Sequence, residues 1–454
     1  RGSDAARLML VGRLHERRSR YPESIAALRA ALDVRREIGD RSGIAQCLAY
    51  IGLTLMRQGG FDEAMRHFEE SKALWTAIGD RAGVAALLHN TGLLHILQGR
   101  YDDALRAIGD SMDIRRETGG LEGLANSLNT IGIIHLERGR GEDALASFRE
   151  CLDTYRRLGD REGVAYALLN SGNALSSLGR QAEALRSFQE SLSACRDLGD
   201  RANAASCLAG IGNVHYDRGQ EQEAVSAYEE SLAINREIGH RPHTATLLEN
   251  LGGVHSRAGR FEEALRTYGE ALALCRQVED GAETVRCLLG LAETGLRQGR
   301  FEEAHAHLVD ANGVLGKVDA PGLRAACADA AGRAYLGLGQ PAEAASRHRE
   351  ALEAGRRLED PGLVARSLAR LAALDALGGR VKDALAGIDA ALAEAARLPE
   401  TSPEIRVALA ECEARVRAAE GDTAKAREVA EHALAIPGVR GLAAPLEALM
   451  RDLS

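Results

Sequence analysis

The sequence predicts an all-α protein, an α-solenoid of about eleven antiparallel helix pairs, and three observations predict it. The first is the stretch from Leu247 to Cys275, which reads as two amphipathic helices joined by Ala258-Gly259-Arg260. In its second half, apolar or small residues fall at Phe261, Ala264, Leu265, Tyr268, Ala271, Leu272 and Cys275. Steps of three and four mark one buried helical stripe. The first half repeats the spacing at Leu248, Leu251, Gly252 and His255. One such hairpin cannot bury its own apolar face, so it needs copies beside it.

The second observation is a period of 40 residues. Gly252 recurs as Gly12, Gly52, Gly92, Gly132, Gly172, Gly212 and Gly332, with alanine at Ala292 and Ala372. Gly259 and Ala264 head two further columns, from Gly59 to Gly379 and from Ala64 to Ala384. Gly259 stands where the first helix stops, and glycine takes the left-handed conformation there without a Cβ clash. Gly252 lies inside a helix, where glycine costs about 1 kcal/mol against alanine. A closely approaching neighbouring helix is the expected return.

The third observation is the punctuation between pairs. Gly39-Asp40-Arg41, Gly79-Asp80-Arg81, Gly159-Asp160-Arg161 and Gly199-Asp200-Arg201 each end one helix on glycine and cap the next with aspartate.

In chain order, an N-terminal repeat occupies residues 1–40, with Ser19 where later copies have glycine, so its first helix is expected to end less sharply. Regular repeats fill 41–280, looser ones 281–398, and a degenerate repeat with a closing helix near Leu442 to Leu453 fills 399–454. Eight of the nine prolines lie at or after Pro242, and the run Pro399 to Pro403 shifts the register by two residues. Terminal repeats are atypical because one face has no neighbour. The chain does not begin with methionine and reads as a fragment.

Composition fits a core distributed along an array: apolar residues make up 45% and aromatics only 4%. A formal charge of −9 argues against a nucleic-acid partner held through its phosphates. Of the eight cysteines, Cys47, Cys207, Cys287 and Cys327 share one column and Cys195 and Cys275 another, with no CxxC pair. Buried, reduced thiols in a cytoplasmic protein follow. No apolar run is long enough to span a bilayer, and no membrane partner is expected.

Catalytic and cofactor motifs are missing. Gly316-Lys317 is followed by Val318 and lacks the upstream glycine of a phosphate loop. His240 and His243 have no third ligand in reach of their loop, so no metal is expected. Glu69-Glu70, Glu229-Glu230 and Glu262-Glu263 fall on solvent-facing columns. The chain is therefore expected not to be an enzyme and to need no cofactor.

The columns Leu248, Leu251-Gly252, His255, Gly259, Phe261, Ala264, Tyr268 and Ala271 resemble the tetratricopeptide repeat. The 40-residue period with N-L-G and G-D-R elements is similar to the LGN/Pins and kinesin-light-chain subclass. The resemblance implies a right-handed superhelix whose concave groove, lined by the first helix of each repeat, holds peptides or partner helices. It also implies a use in bacterial regulators as a sensor array. Where the family usually has an aromatic beside the glycine, this chain has His95, His135, His215 and His255, expected as packed, hydrogen-bonded histidines.

Carried across column by column, the family's ligand-lining positions include Thr246, Glu249, Asn250, Gly253, Ser256 and Arg257 and their equivalents. Repeats two to four place Leu53, Met56, Leu93, Ile96, Leu97, Ile133 and Leu136 there, packed between first helices or open to an amphipathic partner or self-association. An amide-rich zone follows at Asn90, Asn170, Asn173, Asn213, Tyr216 and Asn250. Asparagine is a poor mid-helix residue and asks for a reason, either inter-repeat hydrogen bonds or contacts to a ligand backbone. Arg257, Arg286, Arg297 and Arg333 give the last zone a preference for an acidic segment. Asn213, Asn250 and Arg286 match three positions of the family's carboxylate clamp, but Ala209 and Gly290 replace its other two. The expected function is a protein- or peptide-binding scaffold. The alternative is the effector-binding region of an ATPase, kinase, protease or transcription regulator.

Overall fold

The computed structural model describes residues 2–398, 402–436, 442 and 444–453. Among these residues there are helices and no strands. The chain divides into two compact units, Arg1–Ala194 and Cys195–Ser454.

The first unit begins with α1 (Gly2–Arg17) and α2 (Tyr21–Glu37), then α3 (Arg41–Gln58) and α4 (Phe61–Ala77). It continues through α5 (Arg81–Leu97), α6 (Tyr101–Thr118), α7 (Leu121–Glu137) and α8 (Gly141–Leu158). After α9 (Arg161–Ser177), α10 (Gln181–Leu198) runs past the unit's last residue. The second unit pairs α11 (Arg201–Asp217) with α12 (Glu221–Ile238), and α13 (Arg241–Arg257) with α14 (Phe261–Gln277). Next come α15 (Gly281–Arg297), α16 (Phe301–Leu315), α17 (Pro321–Gly337) and α18 (Pro341–Arg357). The chain closes with α19 (Pro361–Leu377), α20 (Val381–Ala395), α21 (Pro403–Glu420), α22 (Thr423–Leu434) and α23 (Ala444–Asp452). Within each unit a helix packs on its hairpin partner and on the helices that follow, the arrangement of an α-solenoid.

The glycine column explains how the two helices of a hairpin meet. A Cβ on Gly52 would stand 2.5 Å from Phe68 Cε1, and one on Gly212 would stand 2.5 Å from Tyr228 Cε1. The partner lies 16 residues further on, at Leu28, Phe68, Ile108, Phe148, Phe188, Tyr228, Tyr268 and His348. The missing side chain makes room for a ring or a branched aliphatic side chain, and the buried area offsets the poor helix propensity.

A second column ties the two helices of a hairpin by hydrogen bonds. Ser71, Ser111, Ser191 and Ser231 each donate 2.6–2.7 Å to the carbonyl of Ala45, Ala85, Ala165 or Ala205, 26 residues earlier. Cys151 donates to Ala125 at 3.3 Å in the same place. A buried hydroxyl with a partner avoids the desolvation penalty of an unpaired one.

The helix ends follow the punctuation. Asp40, Asp80, Asp160, Asp200, Asp280 and Asp360 each accept from the backbone N–H three residues on, at 2.8–3.1 Å. His240 takes that position in its turn: its Nδ1 accepts from the His243 N–H at 3.3 Å, and the two rings stack at 4.1 Å. Ser19 does not soften the end of α1. It adopts φ 57°, the left-handed value glycine takes elsewhere, and so do Glu279 (57°) and Glu359 (54°). The backbone turn prevails over side-chain preference at those three positions.

The column histidines are half-buried at the hairpin turns. His215 Nδ1 lies 2.8 Å from Gln220 Oε1, and Arg260 Nε donates to His255 Nδ1 at 3.1 Å. Burial, with Arg140 and Arg260 adding repulsion, lowers the His135 and His255 pKa values. All eight cysteines are buried thiols, and Cys275 Sγ lies 3.9 Å from Cys287 Sγ. Arg116–Glu150 (2.9 Å), Arg196–Glu230 (2.5 Å) and Arg236–Glu270 (2.5 Å) join successive second helices on the exposed side, where such pairs add little stability. The closing helix α23 packs on α21 and α22, while Pro399 to Thr401 of the register shift lie outside the described residues. No helix among the described residues is long and apolar enough to cross a membrane.

Candidate partner-binding face

The expected ligand-lining residues all lie on first helices, the odd-numbered ones from α3 to α17. In the first unit α3, α5, α7 and α9 touch in succession, so their adjoining faces form one strip. Leu53 and Leu93 pack against the core that includes Leu48 and Phe68, and Ile96 packs against the next core cluster. Met56 is buried, Ile133 and Leu136 are half-buried, and Leu97 stands 56% exposed. The apolar zone is thus mostly inter-helix packing, with Leu97 its open member.

The asparagines divide into two kinds. Asn170 is buried and donates to Asn129 Oδ1 at 2.7 Å, linking α9 to α7. Asn173 is exposed on the same helix, and Asn90 is half-buried on α5. In the second unit Asn213 is exposed, and its Oδ1 accepts from Tyr228 Oη at 2.6 Å and from Asn250 Nδ2 at 3.5 Å. A hydroxyl from the second helix therefore orients an exposed amide on the first. The same device appears where Tyr155 Oη donates to Asn126 Oδ1 at 2.7 Å. Asn126 and Asn129 escaped the sequence reading. Asn126 shares the column of Thr246 and Asn129 that of Glu249, both ligand-lining columns, and that was the signal for each.

The arginine zone is largely engaged by the chain's own groups. Arg286 ion-pairs with Glu283 at 2.7 Å and is half-exposed. Arg333 is paired with Glu293. Asp329 sits between Arg370 Nε at 3.1 Å and His348 Nδ1 at 3.3 Å. Burial alone would raise the Asp329 carboxyl, yet those two neighbours hold it well below the usual range. Glu249 shows the opposite balance: burial, with Glu283 adding repulsion, pushes its pKa up to about 7.

Arg257 is the most enclosed of the set, with 2% of its side chain exposed. Its guanidinium lies 3.6 Å from the centre of the Tyr216 ring and donates Nη2 to the Tyr216 carbonyl. Nη1 reaches Glu404 on α21 at 3.3 Å, across 147 residues of sequence. Arg297 donates to Ser256 Oγ at 3.0 Å. Burial lowers the Arg297 pKa. Glu404 gave no signal, because it follows the register break and column logic no longer reaches it. Among the described residues no three His, Cys, Asp or Glu side chains gather as a metal site.

The tetratricopeptide-repeat family model matches residues 47–117, 123–197, 182–237 and 243–311, more than half of the chain. A model of anaphase-promoting complex subunit 5 matches residues 5–58. No curated protein matches. Among solved structures, the chain is similar to a signal transduction ATPase with numerous domains (STAND) from Pyrococcus horikoshii that carries a tetratricopeptide-repeat sensor. Identity is 17%, the TM-score 0.53, and the match covers 76% of this chain and 52% of that one. The chain thus spans about half the length of that ATPase. It is also similar to the apo form of RapI, at 12% identity and TM-score 0.51, covering 60% of this chain and 99% of the other. Aspartyl phosphate phosphatase F from Bacillus subtilis matches at 13% identity and TM-score 0.50, over 78% and 94% of the two chains. At these identities the likeness is one of fold.

Proposed function

Because this chain belongs to the tetratricopeptide-repeat family, whose arrays are generally non-catalytic interaction scaffolds, we propose that it binds a peptide or protein segment along its first-helix face. The observation that carries the reading is the oriented amide pair Asn213 and Asn250. Tyr228 and Asn250 both donate to Asn213 Oδ1, which fixes the acceptor side of the exposed Asn213 and leaves its N–H donors for a ligand. An exposed, pre-oriented amide at Asn213 beside a half-buried one at Asn250 suits an extended peptide backbone, because little side-chain entropy is lost on binding. In the first unit, taken by itself, Asn173 and Leu97 are exposed on first helices, with Asn90, Ile133 and Leu136 half-buried on theirs. Asn170, by contrast, serves the stack.

The test is selection of peptides from a displayed random library on the full chain, followed by calorimetric titration of the tightest one. Asn213→Ala with Asn250→Ala should weaken it at least about tenfold, or roughly 1.4 kcal/mol. The exposed-side control Glu190→Ala should leave it unchanged. Equal affinities in all three proteins would remove the reading.

A second reading takes the array as the effector-binding region of a larger regulator. The likeness in fold to a STAND tetratricopeptide-repeat sensor supports it. A nucleotide-binding or catalytic domain in the same full-length reading frame would favour it, and a reading frame holding only repeats would sink it.

A further inference from the structure

We propose that Arg257 and Arg297 form a carboxylate-binding site whose present occupant, Glu404, is a displaceable latch that an acidic side chain of a partner peptide replaces. The inference rests on the reading of the first-helix face as a binding surface and names a partner chemistry for one end of it.

Charge count is the first argument. Glu404 pairs with Arg257 while also attracting Arg297. Arg297 itself donates to the neutral hydroxyl of Ser256, the residue before Arg257. Two cations with one anion leave room for more negative charge, in surroundings where burial strengthens the attraction.

Preorganisation is the second. The Tyr216 ring and the Tyr216 carbonyl hold Arg257 independently of Glu404. The guanidinium therefore keeps its position when the carboxylate leaves. The Arg257–Glu404 separation of 3.3 Å is longer than the roughly 2.7–2.9 Å of a well-formed charge-assisted bond.

The third argument concerns where Glu404 stands. It occupies the first turn of α21, next to Pro403. A carboxylate there is stabilised by the helix dipole whether or not it touches arginine. Release from Arg257 leaves Glu404 in a favourable place, which lowers the cost of exchange. Neither arginine belongs to the Asn213, Asn250 and Arg286 set, so this site is distinct from the carboxylate-clamp positions.

The experiment uses the full chain and a fluorescent short peptide of alternating glutamate and serine, acetylated and amidated at its ends. Its partner probe has glutamine in place of glutamate. Glu404→Gln should bind the glutamate peptide about tenfold tighter than wild type, with no gain for the glutamine peptide. Adding Arg297→Gln should abolish the gain. The glutamate peptide should also raise the melting temperature of Glu404→Gln by supplying the missing charge. Glu404→Asp keeps the charge with a shorter reach, and should fold normally and show part of the gain.

Equal binding by wild type and Glu404→Gln, or a gain shared by the glutamine peptide, overturns the proposal. So does a gain that survives Arg297→Gln. The two readings fail separately. A library peptide that depends on Asn213 and Asn250 while Glu404→Gln changes nothing would remove the latch and leave the groove. A free C-terminal carboxylate on the probe that binds where the amidated glutamate peptide does not would also overturn the choice of an acidic side chain.

Discussion

Phe188 covers Gly172 so closely that a Cβ on residue 172 would lie 2.6 Å from Phe188 Cε1. The contact lies at the crossing of α9 and α10, and its equivalents recur along the array. Gly172→Ala improves helix propensity and still should destabilise the protein, by about 1–3 kcal/mol from overpacking. Gly109, inside α6, has open space where its Cβ would be. Gly109→Ala should stabilise by roughly 0.5–1 kcal/mol. Urea titrations of the two variants check the opposite signs.

Asn170→Ala tests which kind of asparagine residue 170 is. Its amide supplies the hydrogen bond to the buried Asn129 Oδ1 at 2.7 Å. Losing it strands that oxygen, at a cost of about 1–3 kcal/mol. Asn173→Ala, on the exposed side of the same helix, should change stability by less than about 0.5 kcal/mol. Thermal melts that rank them the other way would contradict the division of the amides into structural and presented ones.

The serine column allows a graded test. Ser111→Ala removes the 2.6 Å bond to the Ala85 carbonyl and should cost about 1 kcal/mol. Ser111→Cys should cost less, since Cys151 fills the equivalent place and makes a weaker bond of 3.3 Å. A cysteine variant less stable than the alanine variant would show that the donor does not matter.

Glu249 makes stability depend on pH near neutrality. Its folded pKa of about 7 exceeds the ordinary 4.5 because burial and Glu283 disfavour the charge. The folded state therefore holds the proton more tightly than the unfolded state does. Its contribution is fully present below pH 4.5 and is lost as pH rises through 7. Glu249→Gln should flatten the fall in melting temperature between pH 5 and pH 8, with the difference from wild type greatest at the alkaline end. Parallel curves for the two proteins would count against the shift.

Much of the fold was legible because each structural need recurs at one interval. Gly52 and Phe68, Asp40 and the Gly43 amide, and Gly59 at its positive φ are each seen many times over. Ser71 and its equivalents were equally regular, but a serine in an apolar stripe looks like a small residue until its carbonyl partner is in view. The candidate site was harder to read, because side chains there meet between repeats. Asn170 and Asn129 are 41 residues apart, off the period by one, and no column contains both. Arg257 and Glu404 lie on opposite sides of the proline-marked register break, where periodicity carries no information.

The interval has a consequence for how such a chain changes over time. Each hairpin closes on itself with the same seat for a large side chain and the same carbonyl for a hydroxyl, and offers its neighbour the same capped entry. A duplication or excision that starts at Gly39-Asp40 and ends at Gly79-Asp80 joins groups that already fit. The protein can therefore lengthen or shorten in whole modules without a new interface having to be invented, and reach becomes a trait that recombination alone can tune.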